Sequence, residues 1–388
     1  MHMLFTNASV LTPDGFRTDV HVETRGGRIV ALHAGAPPDV AETVDLGGDV
    51  LAPGFVDIQV NGGGGVLFND RPDVDGLRTI AAAHLKSGTT SLMPTLISDD
   101  LSVVEAGIAA VAEARAAGME NILGIHIEGP FLNPEKCGIH DPDRFAELDD
   151  DAIDLLCSLE TGTTLVTLAP ERCRPDQIRT LVERGAIVSL GHTNGRYADA
   201  RAALDAGATG FTHLFNAMPQ MHSREPGIVG AALENRTAWT SLIVDGHHVD
   251  PVMLGLARRL RPADRLMLIT DAMPNAGTDL TEFILQGRPI HVAGGRCSDA
   301  DGVLAGADLS LAQAVRNTVE LMGLPLDRAL NMASRYPAEF LGLAGEVGRI
   351  APGCRADFVR LDASRKVVAT YPAAGDTVMP ALRARRAG

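Results

Sequence analysis

Four residues with catalytic chemistry stand in the same context, directly after a short apolar run. Glu128 follows 122–127 and opens Glu128-Gly129-Pro130. His192 follows 186–190 in Gly191-His192-Thr193, His213 follows 209–212, and Asp271 follows 266–270. A carboxylate and two imidazoles converging from three strand ends can hold one divalent cation and leave a position for water, the donor set of a catalytic zinc site. Taken singly, each residue has a plain structural reading, because a histidine beside a core is more often a hydrogen-bonded core residue than a ligand. Four such residues at four equivalent places are much harder to explain that way.

The equivalence makes sense if the runs are parallel strands. Apolar, β-branched runs occur at 54–60, 89–96, 122–127, 163–168, 186–190, 209–212, 240–244 and 266–270. Helical stretches rich in Ala, Leu, Glu and Arg alternate with them, as at 102–117, 175–184 and 197–206, and two more helices are expected at 310–322 and 327–334. Repeated βα units predict a parallel sheet, and eight of them predict a closed (β/α)8 TIM-like barrel, with a doubly wound open sheet as the alternative. In a barrel the C-terminal strand ends share one face, where active sites are built. The first fifty and last forty residues read instead as short strands broken by turns. Each is too small to bury a core alone, so the two ends are expected to pair into one small β-sandwich. The domain boundaries expected are 1–52, 53–343 and 344–388.

Composition narrows the partners. Among 388 residues, 34 basic and 49 acidic side chains leave a net charge of −15, which argues against nucleic acid or an anionic membrane. A hydrophobic fraction of 45% with 21% charged residues excludes a disordered chain. No run of about 18 apolar residues predicts a membrane span, and the N-terminus resembles no targeting signal. Five cysteines (137, 157, 173, 297 and 354) form no C-x-x-C, so neither a disulfide scaffold nor a zinc ribbon is expected, and the cytoplasm is the expected compartment.

Pro53-Gly54-Phe55-Val56-Asp57, after a β-rich start, resembles the opening of the amidohydrolase superfamily. His126-Ile127-Glu128-Gly129-Pro130-Phe131-Leu132, Leu190-Gly191-His192-Thr193, Thr212-His213-Leu214-Phe215-Asn216-Ala217-Met218 and Thr270-Asp271-Ala272-Met273 are together similar to the N-acetylglucosamine-6-phosphate deacetylase family. Any one motif is weak; the ordered set is specific and spans essentially the whole chain. The resemblance implies metal-dependent hydrolysis of N-acetyl-D-glucosamine 6-phosphate to D-glucosamine 6-phosphate and acetate, a step of amino-sugar catabolism. It implies Glu128, His192 and His213 as metal ligands and Asp271 as the general base that later protonates the leaving amine. It places Gly138 and His140 at the substrate, Asn216 and Ala217 beside the phosphate, and Arg224 and His248 as phosphate-binding groups. Leu304, Ala305 and Gly306 match a loop that closes on the sugar. A homodimer is implied, with one phosphate contact coming from the adjacent subunit.

The chemistry agrees with those roles. An amide is a poor electrophile, so a cation must polarise it or make water acidic near neutral pH. The amine leaves only when protonated, so one carboxylate must act as base and then as acid. Two-metal amidohydrolases carry a His-x-His pair at the end of the first strand, where this chain has Gln59-Val60-Asn61. Gln59 and Asn61 share a strand face, and neutral amides are poor zinc ligands that suit hydrogen bonds to water or sugar. One divalent ion per subunit is therefore expected, Zn²⁺ first, with Fe²⁺, Co²⁺ or Mn²⁺ as alternatives. A dihydroorotase-like or dihydropyrimidinase-like hydrolase and a non-catalytic scaffold are the rival readings; the missing His-x-His opposes the first and the four site residues oppose the second.

Other residues carry less weight. Gly62–Gly65 lacks the Lys-Ser/Thr of a P-loop and reads as a tight turn beside the site. His126 lies on the same strand face as Glu128, as packed core or as support for a ligand. His84 and His222 are expected to be solvated. Cys137, three residues before His140, reads as a loop thiol whose modification would block turnover if the loop closes over the site.

Overall fold

Runs that are apolar and β-branched become strands covered on both faces, which is how a parallel sheet is built. Phe55–Val60 and Thr89–Ile97 are buried at every position. With Gly124–Glu128, Thr163–Leu168, Ile187–Leu190, Gly210–Phe211, Trp239–Leu242 and Leu266–Leu268 they form one eight-stranded sheet in sequence order, and every pairing is parallel. The sheet closes where Val60 bridges Ala272 in parallel and the Asp271 N–H donates to the Gln59 carbonyl at 3.0 Å. The closed barrel, not the open sheet, is thus the architecture. This computed structural model describes residues 2–379 apart from Ala41 and Asp376; the end of the expected C-terminal sandwich segment, 380–388, lies outside the described residues.

The barrel interior is partly polar, and several of its polar groups pair with one another, as burial favours. His126 Nε2 lies 2.8 Å from Thr167 Oγ1, which lies 2.8 Å from Thr212 Oγ1, which lies 2.7 Å from Ser189 Oγ. His126 is therefore part of the interior lattice below the mouth. Burial pushes its imidazole down to about 4, so it is neutral. The helices close with ordinary signals. Ser310 caps Leu311–Leu321, and Asp250 with Pro251 at the first position opens Pro251–Leu260.

The two chain ends do pair. Arg28–Ala34, Val20–Arg25, His2–Thr6 and Glu42–Asp45 form one sheet; Val367–Tyr371, Phe358–Leu361, Val50–Pro53, Ser9–Thr12 and Gly15–Arg17 form the other. The C-terminal strand Phe358–Leu361 runs antiparallel to Val50–Pro53. Phe5 from the first sheet meets Phe358 and Tyr371 from the second edge-to-face at 5.1 Å each. Burying one such ring contributes about 1.5–3 kcal/mol, which neither end could gain alone.

One element has no counterpart in the sequence reading. Between the last barrel strand and Leu311–Leu321, the strands Glu282–Leu285, Arg288–Ala293, Arg296–Ser298 and Leu304–Ala307 form an antiparallel sheet. It packs Phe283, Leu285, Ile290 and Cys297 against Leu67, Ile97, Ile139 and Met273 at the barrel mouth. Another finding corrects an expectation. His84 is buried at 3% exposure, not solvated, with Nε2 2.9 Å from the Gly62 carbonyl. The hairpin of Gly62–Gly63 with Val66–Leu67 packs onto its helix and covers it.

Candidate metal and substrate site at the barrel mouth

The strand ends bring Glu128, His192 and His213 together. His213 Nε2 lies 2.9 Å from Glu128 Oε1 and 3.1 Å from His192 Nε2, and His192 Nε2 lies 3.4 Å from Glu128 Oε1. Tetrahedral ligands about 2.0–2.1 Å from a zinc ion stand roughly 3.3 Å apart, so this triangle has the size of a metal-binding set. His192 Nδ1 faces the Lys136 carbonyl at 3.0 Å, which places the proton on Nδ1 and leaves the Nε2 lone pair toward the cluster, as a ligand requires. Glu128, His140 and His192 also bring one donor atom each within 4.8 Å of one another. His140 is a different kind of neighbour. The Ser98 N–H donates to its Nδ1 at 3.2 Å, with Ser98 Oγ at 2.8 Å, so its proton belongs on Nε2. His140 then offers a donor to the site, and we read it as a hydrogen-bonding group.

Asp271 completes the group from the last strand. Asn61 Nδ2 donates to its Oδ1 at 2.7 Å, and Gln59 Nε2 lies 3.3 Å from the same oxygen and 2.9 Å from Glu128 Oε1. Burial and the charge of Glu128 both raise the Asp271 carboxyl above the ordinary range. Burial also pushes Glu128 upward, but the adjacent His192 and His213 imidazoles outweigh it and hold that carboxyl well below the usual value. Two carboxylates in one site thus have opposite tendencies, the pattern expected when one is a ligand and the other moves protons. Burial and the neighbouring His192 push His140 down to about 3, so it is a neutral donor.

The backbone is strained here. Among the described residues eight non-glycine positions have positive φ, and five of them are His192, His213, Phe215, Ala217 and Asp271. Each such residue costs on the order of 1–3 kcal/mol, and concentration at one place points from strain to function.

These groups line a cavity of about 250 Å³ together with Asn61, Gly138, Asn216, Ala217, His248, Leu304 and Gly306. His248 is held from behind: Asp245 Oδ2 lies 2.6 Å from its Nδ1, and Asp245 Oδ1 accepts the His247 and His248 N–H groups. Gly306 is glycine for a steric reason, since a Cβ there would lie 2.5 Å from the Asp271 carbonyl. A larger cavity of about 390 Å³ in the sandwich is lined by one carboxylate, Glu42, and no histidine or cation among the described residues, so the chemistry points to the barrel mouth.

Four expected residues sit elsewhere. Arg224 is exposed and does not line the cavity of its own chain. Ala305 is fully buried in the added sheet, between two residues that do line it. Gln59 lies behind the carboxylates. Cys137 is half-buried on the loop, with Sγ 3.6 Å from the Gly138 carbonyl.

The amidohydrolase family profile matches residues 50–379, the span that carries every one of these groups. The chain belongs to the amidohydrolase family. It is similar to the N-acetylgalactosamine-6-phosphate deacetylase of Shewanella sp. (strain ANA-3), 40% identical over 99% of this chain and 98% of the relative. The human N-acetylglucosamine-6-phosphate deacetylase is 38% identical over 98% of this chain and 97% of its own. The crystal structure of N-acetylglucosamine-6-phosphate deacetylase from Pasteurella multocida superposes with a TM-score of 0.94 at 34% identity, covering 98% of this chain and 100% of that one. No helix among the described residues of this amidohydrolase is long and apolar enough to cross a membrane.

Three residues near the site escaped the sequence reading: Ser98, Glu171 and Asp245. Each follows a barrel strand's apolar run by one to three residues, like Glu128 or Asp271. The same signal, applied to all eight strands, would have found them.

Proposed function

We propose that this amidohydrolase removes the acetyl group of N-acetyl-D-glucosamine 6-phosphate by metal-dependent hydrolysis, giving D-glucosamine 6-phosphate and acetate. One observation carries the reading: Glu128, His192 and His213 present donor atoms within 3.4 Å of one another beside Asp271, on one cavity. Acetate release from the purified protein tests it, with activity expected on this substrate and lost on adding a chelator. No release under metal-replete conditions overturns it.

Glu128, His192 and His213 would hold one Zn²⁺ per subunit, which when bound supplies Lewis-acid chemistry that polarises a carbonyl and acidifies water. Asp271, oriented by Asn61, takes a proton from the attacking water and returns one to the departing amine. Its carboxyl, raised above the ordinary range by burial and the charge of Glu128, is shifted in the direction that favours both duties. His140 Nε2–H donates to the carbonyl oxygen as negative charge develops on it. His248, braced by Asp245, meets the phosphate together with Asn216 and Ala217. Leu304 and Gly306 cover the sugar. Arg224 lies on the surface of its own chain, which supports a homodimer in which it serves the phosphate of the partner's site. A phosphorylated sugar does not pass freely through a membrane, so enzyme and substrate share a compartment, and we place both in the cytoplasm.

One finding favours a second reading. The Shewanella relative is named for N-acetylgalactosamine 6-phosphate, the epimer at C4. Comparing kcat/KM on the two sugar phosphates decides between them.

A further inference from the structure

Glu171 belongs to none of the roles above, yet it stands between two of the residues read as ligands. It lies in the short turn Pro170–Arg172, after the fourth barrel strand, Thr163–Leu168. That strand pairs on one side with Gly124–Glu128, which carries Glu128, and on the other with Ile187–Leu190, which leads to His192. The Glu171 carboxylate accepts three hydrogen bonds. Asn133 Nδ2 donates to Oε1 at 2.9 Å from the loop after Glu128. The Asn194 N–H donates to Oε1 at 2.7 Å and Thr193 Oγ1 to Oε2 at 2.5 Å from the loop after His192.

The loops so joined also fix the His192 ring. Lys136, on the loop after Glu128, presents its carbonyl to His192 Nδ1, and the Asn133 N–H donates to the His192 carbonyl at 3.0 Å. His192 itself has φ of +47°, a conformation that persists only where its surroundings hold it. The packing around the carboxylate is close: a Cβ on Gly195 would lie 2.7 Å from Glu171 Oε2 and would displace that oxygen. An ionised carboxylate has two oxygens able to accept all three donors, whereas an amide has one oxygen and would turn its NH₂ toward a donor.

We propose that Glu171 is a positioning residue: by joining the loops after Glu128 and His192 it holds these two side chains at metal-binding separation. The proposal rests on the reading of Glu128, His192 and His213 as metal ligands. Partners behind metal-binding side chains commonly tune affinity in this way.

The test uses the full-length protein with Zn²⁺ alone as probe. Glu171→Gln and Thr193→Val, the latter removing one donor and keeping the carboxylate, are compared with wild type. The measurements are Zn²⁺ affinity by chelator competition and amide hydrogen exchange in the metal-free state. Glu171→Gln should bind Zn²⁺ roughly 10–100-fold more weakly, and Thr193→Val should shift in the same direction by less. Exchange should speed up in segments 129–137 and 191–196 and stay unchanged in the sandwich. Activity of Glu171→Gln should recover with excess Zn²⁺. A purely structural role predicts a lower melting temperature with unchanged Zn²⁺ affinity, and that result, or exchange identical to wild type in both loops, overturns the proposal. If wild type itself binds no Zn²⁺, the ligand reading fails, and the exchange measurement still decides whether Glu171 joins the loops.

Discussion

Gln59 donates its side-chain amide to Glu128 Oε1 at 2.9 Å, from the strand position where two-metal amidohydrolases carry an imidazole. The same nitrogen lies 3.3 Å from Asp271 Oδ1, and Asn61 adds a second donor to that oxygen at 2.7 Å. Two carboxylates side by side, Glu128 buried and Asp271 half-buried, would repel one another. Amide N–H groups from Gln59 and Asn61 offset that repulsion here.

The metal count follows. Protein purified without chelator should hold about one equivalent of divalent ion per subunit, because Gln59 and Asn61 offer neutral amides where a second ion needs imidazole or carboxylate. Elemental analysis checks this. Two tightly held equivalents, both needed for full activity, would show that the amides serve as ligands.

Asp271→Asn should keep the fold and the metal and lose turnover by roughly 10²–10⁴-fold, the usual cost of removing a general acid–base group. The kcat of the metal-loaded variant is the measurement. Near wild-type turnover would move proton transfer to another residue.

Arg224→Ala should reduce kcat/KM for the phosphorylated sugar far more than for the unphosphorylated one, by a charge-assisted contact of roughly 1.5–3 kcal/mol. Mixed dimers of Arg224→Ala with Asp271→Asn locate the contact. If Arg224 serves the partner's site, one of the two sites in the mixed dimer is intact and activity returns. If it serves its own site, neither is intact and activity stays low.

Stability should carry the signature of Asp57, which is fully buried below the site and accepts the Thr270 hydroxyl at 2.6 Å. Burial pushes its carboxyl from 3.8 up to about 7. Between those values the folded chain keeps a proton that the unfolded chain has lost, so this group's contribution is complete below the lower value and disappears as pH rises through the upper one. The difference is on the order of 4 kcal/mol. Denaturant unfolding of Asp57→Asn should lose less stability than wild type across that window; parallel pH profiles would remove Asp57 as the cause.

Much of this arrangement was legible in the amino acids. The barrel could be read because strands buried on both faces are rich in apolar and β-branched residues, as Thr89–Ile97 is. Glu128, His192, His213 and Asp271 could be read because they interrupt apolar runs at equivalent ends. The added sheet at 282–307 could not. Its strands are short and half-exposed, as the alternation in Glu282–Leu285 shows, and carry no run that distinguishes them from loop. His84 was misread for a related reason: its neighbours along the helix do not reveal the glycine hairpin that covers it.

The sequence by itself determined the donor types, the strand count and the absence of imidazoles at 59 and 61, because these are properties of residue identity and local period. Only the tertiary structure decided which groups meet. Closure between Val60 and Ala272 brings Gln59 and Asn61 against Asp271, more than two hundred residues away in the chain. Packing of the long-range loops, not any local pattern, turns the His192 lone pair toward Glu128 and leaves Arg224 outside its own cavity. Hydrogen-bond direction and positive φ at His192, His213 and Asp271 depend on neighbours distant in sequence, so no local reading could supply them.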